Sequence, residues 1–542
     1  MWKRTGIQRV FPQYCRKNRS DHTMNIPFKK AALLGGAILA LGSCDDFLDV
    51  NQNPNDPTEV PSSFALPNAI NRPAVVSGNT LNVLGNLWVG NWAQAGDYLF
   101  YLPEQQYNLT PLTYESVWTE MYAGSLPDLA YIERQARASG DKNTLAIARI
   151  MQAYDYQILV DAFGDVPFGE SLQGTSNLTP NYEKAEVIYD NLITMLNEGL
   201  ASIDVNATNP GTNDILFKGD MAKWRRFANT LKLRVYLRQA QARPTVAQQG
   251  IQAMATAGAT FLGANENAAV NPGYLNTSGK QNPLYALFYN TAGAETSNRK
   301  ATRANTLGLD YLKATNDTLR LKRIYSVVSG RNANSYRNYQ GLYSGAPSSN
   351  PIYNSTRLSA PGASVVDAPT NNGFAKPVYL MLASESFFLQ AEAAQRGWLT
   401  GASAQTQYEN GIKESFRFLG FTDAQAQTYY AQTTAATTVA DLTAPNGATF
   451  DPKAIAPNWT AAQDKIEAII TQKWIANNGF NGFEAWSEFR RTGFPKGNYI
   501  SLNATQQQFP VRIPYPQNEL SNNPNTPKGV TIFTPKIFWD VN

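Results

Sequence analysis

The stretch IARIMQAYDYQILVDAFGDVPF, residues 147–168, decides the fold class. Ile147, Met151, Tyr154 and Ile158 step by four, three and four, which lays them along one face of a helix. The helix ends at Asp161-Ala162-Phe163-Gly164-Asp165-Val166-Pro167-Phe168, where glycine takes the C-cap and proline blocks propagation. The same period recurs on both sides. A short helical stretch after Thr113 carries Val117 and Met121. Downstream, Ile188, Leu192, Leu196, Leu200 and Ile203 form one stripe, and Trp224, Phe227, Leu231 and Val235 another. The charges on that last helix, Arg225, Arg226, Lys232, Arg234 and Arg238, read as a solvated or salt-bridged face.

Further along, helices are expected over 379–396 and around Tyr408, Ile412, Phe416 and Leu419, joined by a short glycine-containing turn as a helix hairpin. Thr460-Ala461-Ala462-Gln463 reads as a capping box opening a helix with Ile466, Ile470 and Trp474. Asn477-Asn478-Gly479 ends that helix, and a short one follows from Phe483 to Arg491. Between the helices lie segments of different character. Residues 81–107 are dense in aromatics, with Gly85, Gly90 and Gly96 expected to interrupt any helix. Residues 262–376 are rich in Gly, Asn, Ser, Pro and Tyr with little periodicity, and a loop of that length in a compact domain often carries function. The proline-rich tail after Pro510 reads as a surface wrap. Periodicity alone thus gives a helical repeat core with loop-rich insertions.

The N-terminal region sets the compartment. Lys29-Lys30 precede an apolar run over 31–41, too short for a bilayer span, and Leu41-Gly42-Ser43 stands directly before Cys44. That order reads as a signal peptide, residues 1–43, with Cys44 as the lipidated new N-terminus. Met24 offers an alternative start that would leave residues 1–23 untranslated. Residues 44–61, rich in Asn, Asp and Pro, form an extended tether, and 62–542 a single domain. Cleavage removes Lys3, Arg4, Arg9, Arg16, Lys17, Arg19, Lys29 and Lys30 against one acid, Asp21. It turns the precursor's +4 into about −3, which removes any electrostatic case for nucleic acid. It also removes His22 and Cys15. No Ser-His-Asp triad, Cys-His pair, His-ligated zinc or internal disulfide is then available, and no metal or cofactor is expected.

Several stretches together resemble the SusD/RagB family of Bacteroidetes surface lipoproteins, in its SusD-like subgroup. They are Cys44-Asp45-Asp46-Phe47-Leu48-Asp49, the Asp161-to-Phe168 turn, the helix from Lys223 and Leu389-Gln390-Ala391-Glu392-Ala393-Ala394. Ile470-Thr471-Gln472-Lys473-Trp474-Ile475-Ala476, Glu484-Ala485-Trp486-Ser487-Glu488-Phe489-Arg490-Arg491-Thr492-Gly493 and Arg512-Ile513-Pro514-Tyr515-Pro516 complete the ordered set. The resemblance implies a mainly α fold, with tetratricopeptide-like helix-pair repeats and long irregular insertions forming a ligand face. It implies a lipid-anchored protein on the outer face of the outer membrane. It further implies a SusC-like TonB-dependent transporter as partner, and oligosaccharides or peptides as ligands.

Three function classes compete. A non-enzymatic binding lipoprotein fits the resemblance. A carboxylate-dependent glycoside hydrolase would need a pair such as Asp161 and Asp165, but carboxylates four apart at a helix end read as caps and turn-formers. A tetratricopeptide-like scaffold for other proteins is the third. Within the first class, sugars call for exposed aromatic platforms, and Trp92, Tyr98, Tyr336, Tyr339 and Tyr343 are the candidates because no helical stripe claims them. A backbone groove for peptides stays open. Since one acyl chain anchors only marginally, Cys44 is expected to carry several. Cys44→Ala should release a protein that still folds; palmitate label persisting in this variant would refute the assignment.

Overall fold

The computed structural model describes residues 61–433 and 456–542. Cys44, the 1–43 segment and the tether through residue 60 lie outside them. The longer helices, in chain order, begin with α1 (Ser62–Gly78), α2 (Thr80–Trp88), α3 (Leu126–Ser139) and α4 (Lys142–Phe163). Next come α5 (Ala185–Ser202), α6 (Met221–Arg238), α7 (Pro244–Thr256) and α8 (Thr306–Ala314). The last are α9 (Ala383–Gln395), α10 (Ala404–Phe418), α11 (Asp423–Tyr430), α12 (Lys465–Asn477) and α13 (Gly482–Thr492). Pairs α3/α4, α5/α6, α9/α10 and α12/α13 pack as hairpins. They stack in series, α4 on α5, α6 on α9 and α9 on α12, and α13 closes against α2. This is the expected mainly α, tetratricopeptide-like arrangement.

Strands are few and short. Trp92–Gln94 (β1) pairs antiparallel with Thr302–Ala304 (β5), Val166–Pro167 (β2) with Tyr182–Glu183 (β3), and Ala268–Val270 (β4) with Val378–Met381 (β6). Among the described residues no helix is long and apolar enough to cross a membrane.

In several places the local structure differs from what the sequence pattern predicts. Helix α4, capped by Asp141 at its start and Gly164 at its end, is buried on nearly every face, because α3, α5 and α6 surround it. Gly85 does not interrupt a helix but lies inside α2: a Cβ there would clash with the Gly482 carbonyl, so glycine is what lets α2 and α13 approach. Tyr379 belongs to strand β6, and α9 starts only at Ala383. Helix α12 starts at Lys465 with Asp464 as its cap, not at Thr460. The 262–376 region holds α8, β4, β5 and the short helices Pro283–Phe288, Ser297–Ala301 and Thr318–Ile324. The Asn and Thr residues that look like loop formers are partly caps, as Asn282, Thr296 and Asn305 each accept a bond from the helix they open. The tail is no mere surface wrap, since Ile513, Tyr515 and Trp539 are buried.

The helix pairs meet around buried charge. Arg238 of α6 bonds Glu488 and Glu484 of α13 at 2.5 Å each and lies 3.4 Å from Asp161 of α4. Lys473 of α12 contacts Glu484 at 2.9 Å and Glu385 of α9 at 3.7 Å, and Arg234 contacts Glu385 at 3.2 Å. Arg491 forms a bidentate pair with Glu392 of α9 at 2.8 and 2.7 Å and also binds Glu488. Arg490 donates from Nη1 to the Asp161 and Val511 carbonyls and from Nη2 to the Ser487 hydroxyl, and lies 3.6 Å over the Trp486 ring. The charges on α6 divide between the two expected roles, with Arg225 exposed and Arg234 and Arg238 salt-bridged in the core.

Burial alone would raise the carboxyls of Glu392 and Glu488, but Arg491, joined at Glu488 by Lys473 and Arg238, holds both below their ordinary values. Their contribution is therefore present above the unfolded carboxyl value of about 4.3 and is lost as pH falls through the folded values. Arg491→Met should cost about 3–5 kcal/mol at pH 7, because it takes the bidentate partner from buried Glu392, leaving it Arg396 alone, and one of three cations from buried Glu488. The gap to wild type should narrow on acidification, as the orphaned carboxyls take up protons and the wild type loses its own advantage below about pH 4. Urea midpoints of both proteins at pH 7, 5 and 4 check this; a gap independent of pH would show the network is not what the substitution breaks.

Candidate functional site

The aromatics singled out from sequence divide by burial. Trp92 on β1 is 0% exposed and Tyr339 is 1% exposed, so both are core side chains and drop out as platforms. Trp92 is held there by the pairing of β1 with β5 and packs 6.1 Å from the Phe288 ring. Tyr98, Tyr336 and Tyr343 are half-buried. Tyr98 packs with Tyr353 on a small cluster of Ala93, Ala95, Leu342 and Leu358. The loops carrying them are stitched together, Gly96 donating to the Tyr353 carbonyl at 2.8 Å and Ser355 donating twice to Asp97. Tyr343 packs edge-on against Tyr499, centroids 5.7 Å apart, and Tyr336 opens the single turn Tyr336–Asn338. What sequence reasoning missed is that the exposed apolar groups beside them are Leu99 and Phe100, 73% and 50% exposed.

A second feature was not anticipated. A cleft of about 500 Å³ opens where the end of α1, the start of α2, the strand β6, the 363–377 loop, the end of α10 and the α12–α13 turn converge. Its size is that of a small-molecule site. Tyr379, Phe418 and Phe480 form an edge-to-face trio, with centroids 5.0 Å apart for Tyr379–Phe418 and 4.8 Å for Phe418–Phe480. Tyr285, from the short Pro283–Phe288 helix, also lines the cleft, packed against Tyr289 and Phe374, with its hydroxyl buried and without a hydrogen-bond partner among the described residues. Asn282 caps that helix and donates to the Lys376 carbonyl at 2.9 Å, tying it to the 363–377 loop.

The charged lining residues are Arg323, Asp367 and Lys376. Lys376 lies 3.2 Å from Asp367, which also accepts from Asn371 at 2.9 Å. Burial would raise the Asp367 carboxyl, but Asn371 and Lys376 outweigh it and hold the group below its ordinary value. The cleft floor is rigid because asparagines lace it: Asn82 donates to the Gly479 carbonyl at 2.9 Å and accepts from Gly482 at 2.8 Å, while Asn86 accepts from Gly479 at 3.0 Å. Aromatic faces beside fixed amides and charges can stack on sugar CH groups and bond hydroxyls. The signal for this site was thinly spread, since its lining comes from six separate stretches.

Asp161 and Asp165 are both engaged in structural contacts. Asp161 is buried and accepts from Tyr189 and Trp539, and Asp165 binds Lys184 and caps the backbone of Ala185.

Residues 54–516 match the family model described as SusD-like, starch-binding, associating with the outer membrane. Among solved structures, a chitin-binding SusD homologue from Flavobacterium johnsoniae is 24% identical with a TM-score of 0.69, covering 89% of this chain and 98% of its own. A SusD homologue from Bacteroides uniformis is 24% identical with a TM-score of 0.70, covering 88% and 100%. A SusD-like protein from Bacteroides thetaiotaomicron is 22% identical with a TM-score of 0.68, covering 89% and 99%. At these identities the likeness shows the fold. No curated protein matches the chain.

Burial separates core from surface among the aromatics. Trp92→Ala should cost about 3–5 kcal/mol of stability. Phe100→Ala should change it by no more than about 0.5 kcal/mol. Urea unfolding of the two variants reads this directly, and equal losses would place both rings in the core.

Proposed function

Because the chain belongs to the SusD-like family, we propose that it captures oligosaccharides at the cell surface and hands them to a SusC-like TonB-dependent transporter. In this reading Cys44 carries the lipid that holds the protein on the outer face of the outer membrane, and the protein turns nothing over. The observation that carries it is the cleft, where Tyr285, Tyr379, Phe418 and Phe480 stand beside Arg323, Asn371 and Lys376. Sugar recognition needs that combination of rings and fixed hydrogen-bonding groups, whereas a peptide groove would need open backbone donors and acceptors along a strand edge. The family description and the chitin-binding structural neighbour support a glycan in place of a peptide. The half-exposed Tyr98, Tyr336 and Tyr343 serve as secondary platforms for longer chains.

Calorimetry against panels of oligosaccharides and peptides tests the ligand class. An oligosaccharide should bind, and Tyr379→Ala should weaken it about tenfold, equivalent to roughly 1.4 kcal/mol. Peptide binding with no glycan binding would overturn the reading. Gentle detergent extraction at native expression should recover the lipoprotein with a TonB-dependent transporter in near-equal amount, and recovery of the lipoprotein alone would remove the delivery step.

A further inference from the structure

Resting on the glycan reading of the cleft, we infer that the sugars it selects carry negative charge, as uronic acids or sulfated residues do. Three charged side chains line the cleft, and two of them cancel. Lys376 Nζ sits 3.2 Å from one Asp367 oxygen, while the other oxygen accepts from the Asn371 amide and the Ala368 backbone, both at 2.9 Å. Asp367 is thereby satisfied, and its charge is met by a lysine that also donates to the Ala363 carbonyl at 3.1 Å.

Arg323 is the charge left over. It sits near the end of the Thr318–Ile324 helix, is exposed, and has no acidic partner among the described residues. Its guanidinium lies 5.5 Å over the Phe421 ring. One of its terminal nitrogens is 3.8 Å from where a side chain on Gly420, itself a lining residue, would begin. This cation–π approach to Phe421 leaves the guanidinium donors open. A planar fork with free donors is the geometry that binds a carboxylate bidentately or a sulfate through two oxygens.

A second observation points to a ligand independently. The Tyr285 side chain is 1% exposed, lines the same cleft, and its hydroxyl has no partner among the described residues. A buried hydroxyl without a bond is costly, and an acceptor-rich ligand would satisfy it. A neutral sugar could use that hydroxyl too, but it would leave Arg323 unmatched. An anionic sugar uses both, and Asp367, already saturated, does not repel it as an open carboxylate would.

The test uses the full mature protein and matched ligands: an oligogalacturonate, the same oligomer with its carboxyl groups reduced to alcohols, and a sulfated galactan oligomer of equal length. The galacturonate or the sulfated oligomer should bind at least about tenfold more tightly than the reduced one at low salt, with the gap closing as salt is raised. The stronger of the two identifies the anionic group. Arg323→Gln should abolish the preference, bringing the affinity for the charged oligomers down to that for the reduced one. Arg323→Lys should restore part of it, since charge returns without the fork. Equal affinity for all three oligomers, or a preference that survives Arg323→Gln, would overturn the inference and leave the glycan reading standing. If no oligosaccharide binds at all, charged or neutral, both fall together. Circular dichroism of the variants guards against misfolding. Arg323 is exposed and outside the buried network, so loss of fold would itself contradict its assignment as a free cleft residue.

Discussion

Arg238 is the contact on which the helix stack depends. It stands at the meeting point of three of the helix pairs, bonded to Glu484 and Glu488 of α13 and lying close to Asp161 of α4, with the Trp539 ring 5.4 Å from its guanidinium. Around it Arg234, Lys473 and Arg491 engage Glu385, Glu484, Glu488 and Glu392, so every helix pair contributes at least one member. Taking such groups out of water costs several kcal/mol per ion, which good geometry only roughly repays. Its value is better understood as register: apolar stripes on α4, α6, α9 and α12 could slide by a turn, whereas the bidentate Arg491–Glu392 pair could not. Not every carboxyl in it is comfortable. Burial raises those of Asp161 and Glu385 despite their cationic neighbours, while Glu484 and Glu488 are driven down by several cations at once.

From this centre the rest follows outward. Arg490 reaches from α13 to the Asp161 and Val511 carbonyls, and Ile513 donates to the Ala162 carbonyl at 2.8 Å, so the tail is sewn onto the turn that ends α4. On the opposite side α13 meets α2 through Gly85 and Gly482, where only hydrogen atoms can separate the backbones. The asparagines of α2 grip the turn between α12 and α13, and Trp474 donates to the Val89 carbonyl at 3.2 Å. The cleft forms at that junction because rigid helix ends meet an inserted loop there. Its walls are held by the core, and its open side is left to the 363–377 segment. This arrangement places binding groups on a frame that a ligand need not organise, which limits the entropy lost on binding.

The amino-acid sequence by itself determined the helical class, the order of the helix pairs and the family resemblance, because apolar residues spaced three and four apart are a local signal. It also set the composition that leaves Cys44 as the single cysteine and no histidine downstream of the proposed cleavage point. It misjudged what lies beyond one helical turn. Gly85 looked like a breaker and Thr460 like a cap, and for Arg234 and Arg238 solvent and salt bridge stood as equal alternatives, since nothing in the chain announces that a glycine faces another glycine or that an arginine faces a glutamate 250 residues away.

The candidate site divides along the same line. That some aromatics outside the helical stripes would stand partly exposed, as Tyr98, Tyr336 and Tyr343 do, was readable. Whether Trp92 or Phe100 reaches solvent was not, because β1 pairs with a strand some two hundred residues away and that pairing buries Trp92. The cleft was invisible to sequence altogether. Tyr285, Arg323, Asp367, Tyr379, Phe418 and Phe480 share no motif and no spacing, and only the packing of helix ends brings them to one surface. Local periodicity is encoded by neighbours in the chain. A concave site is made by residues whose only relation is distance in space, and the tertiary fold alone decides that.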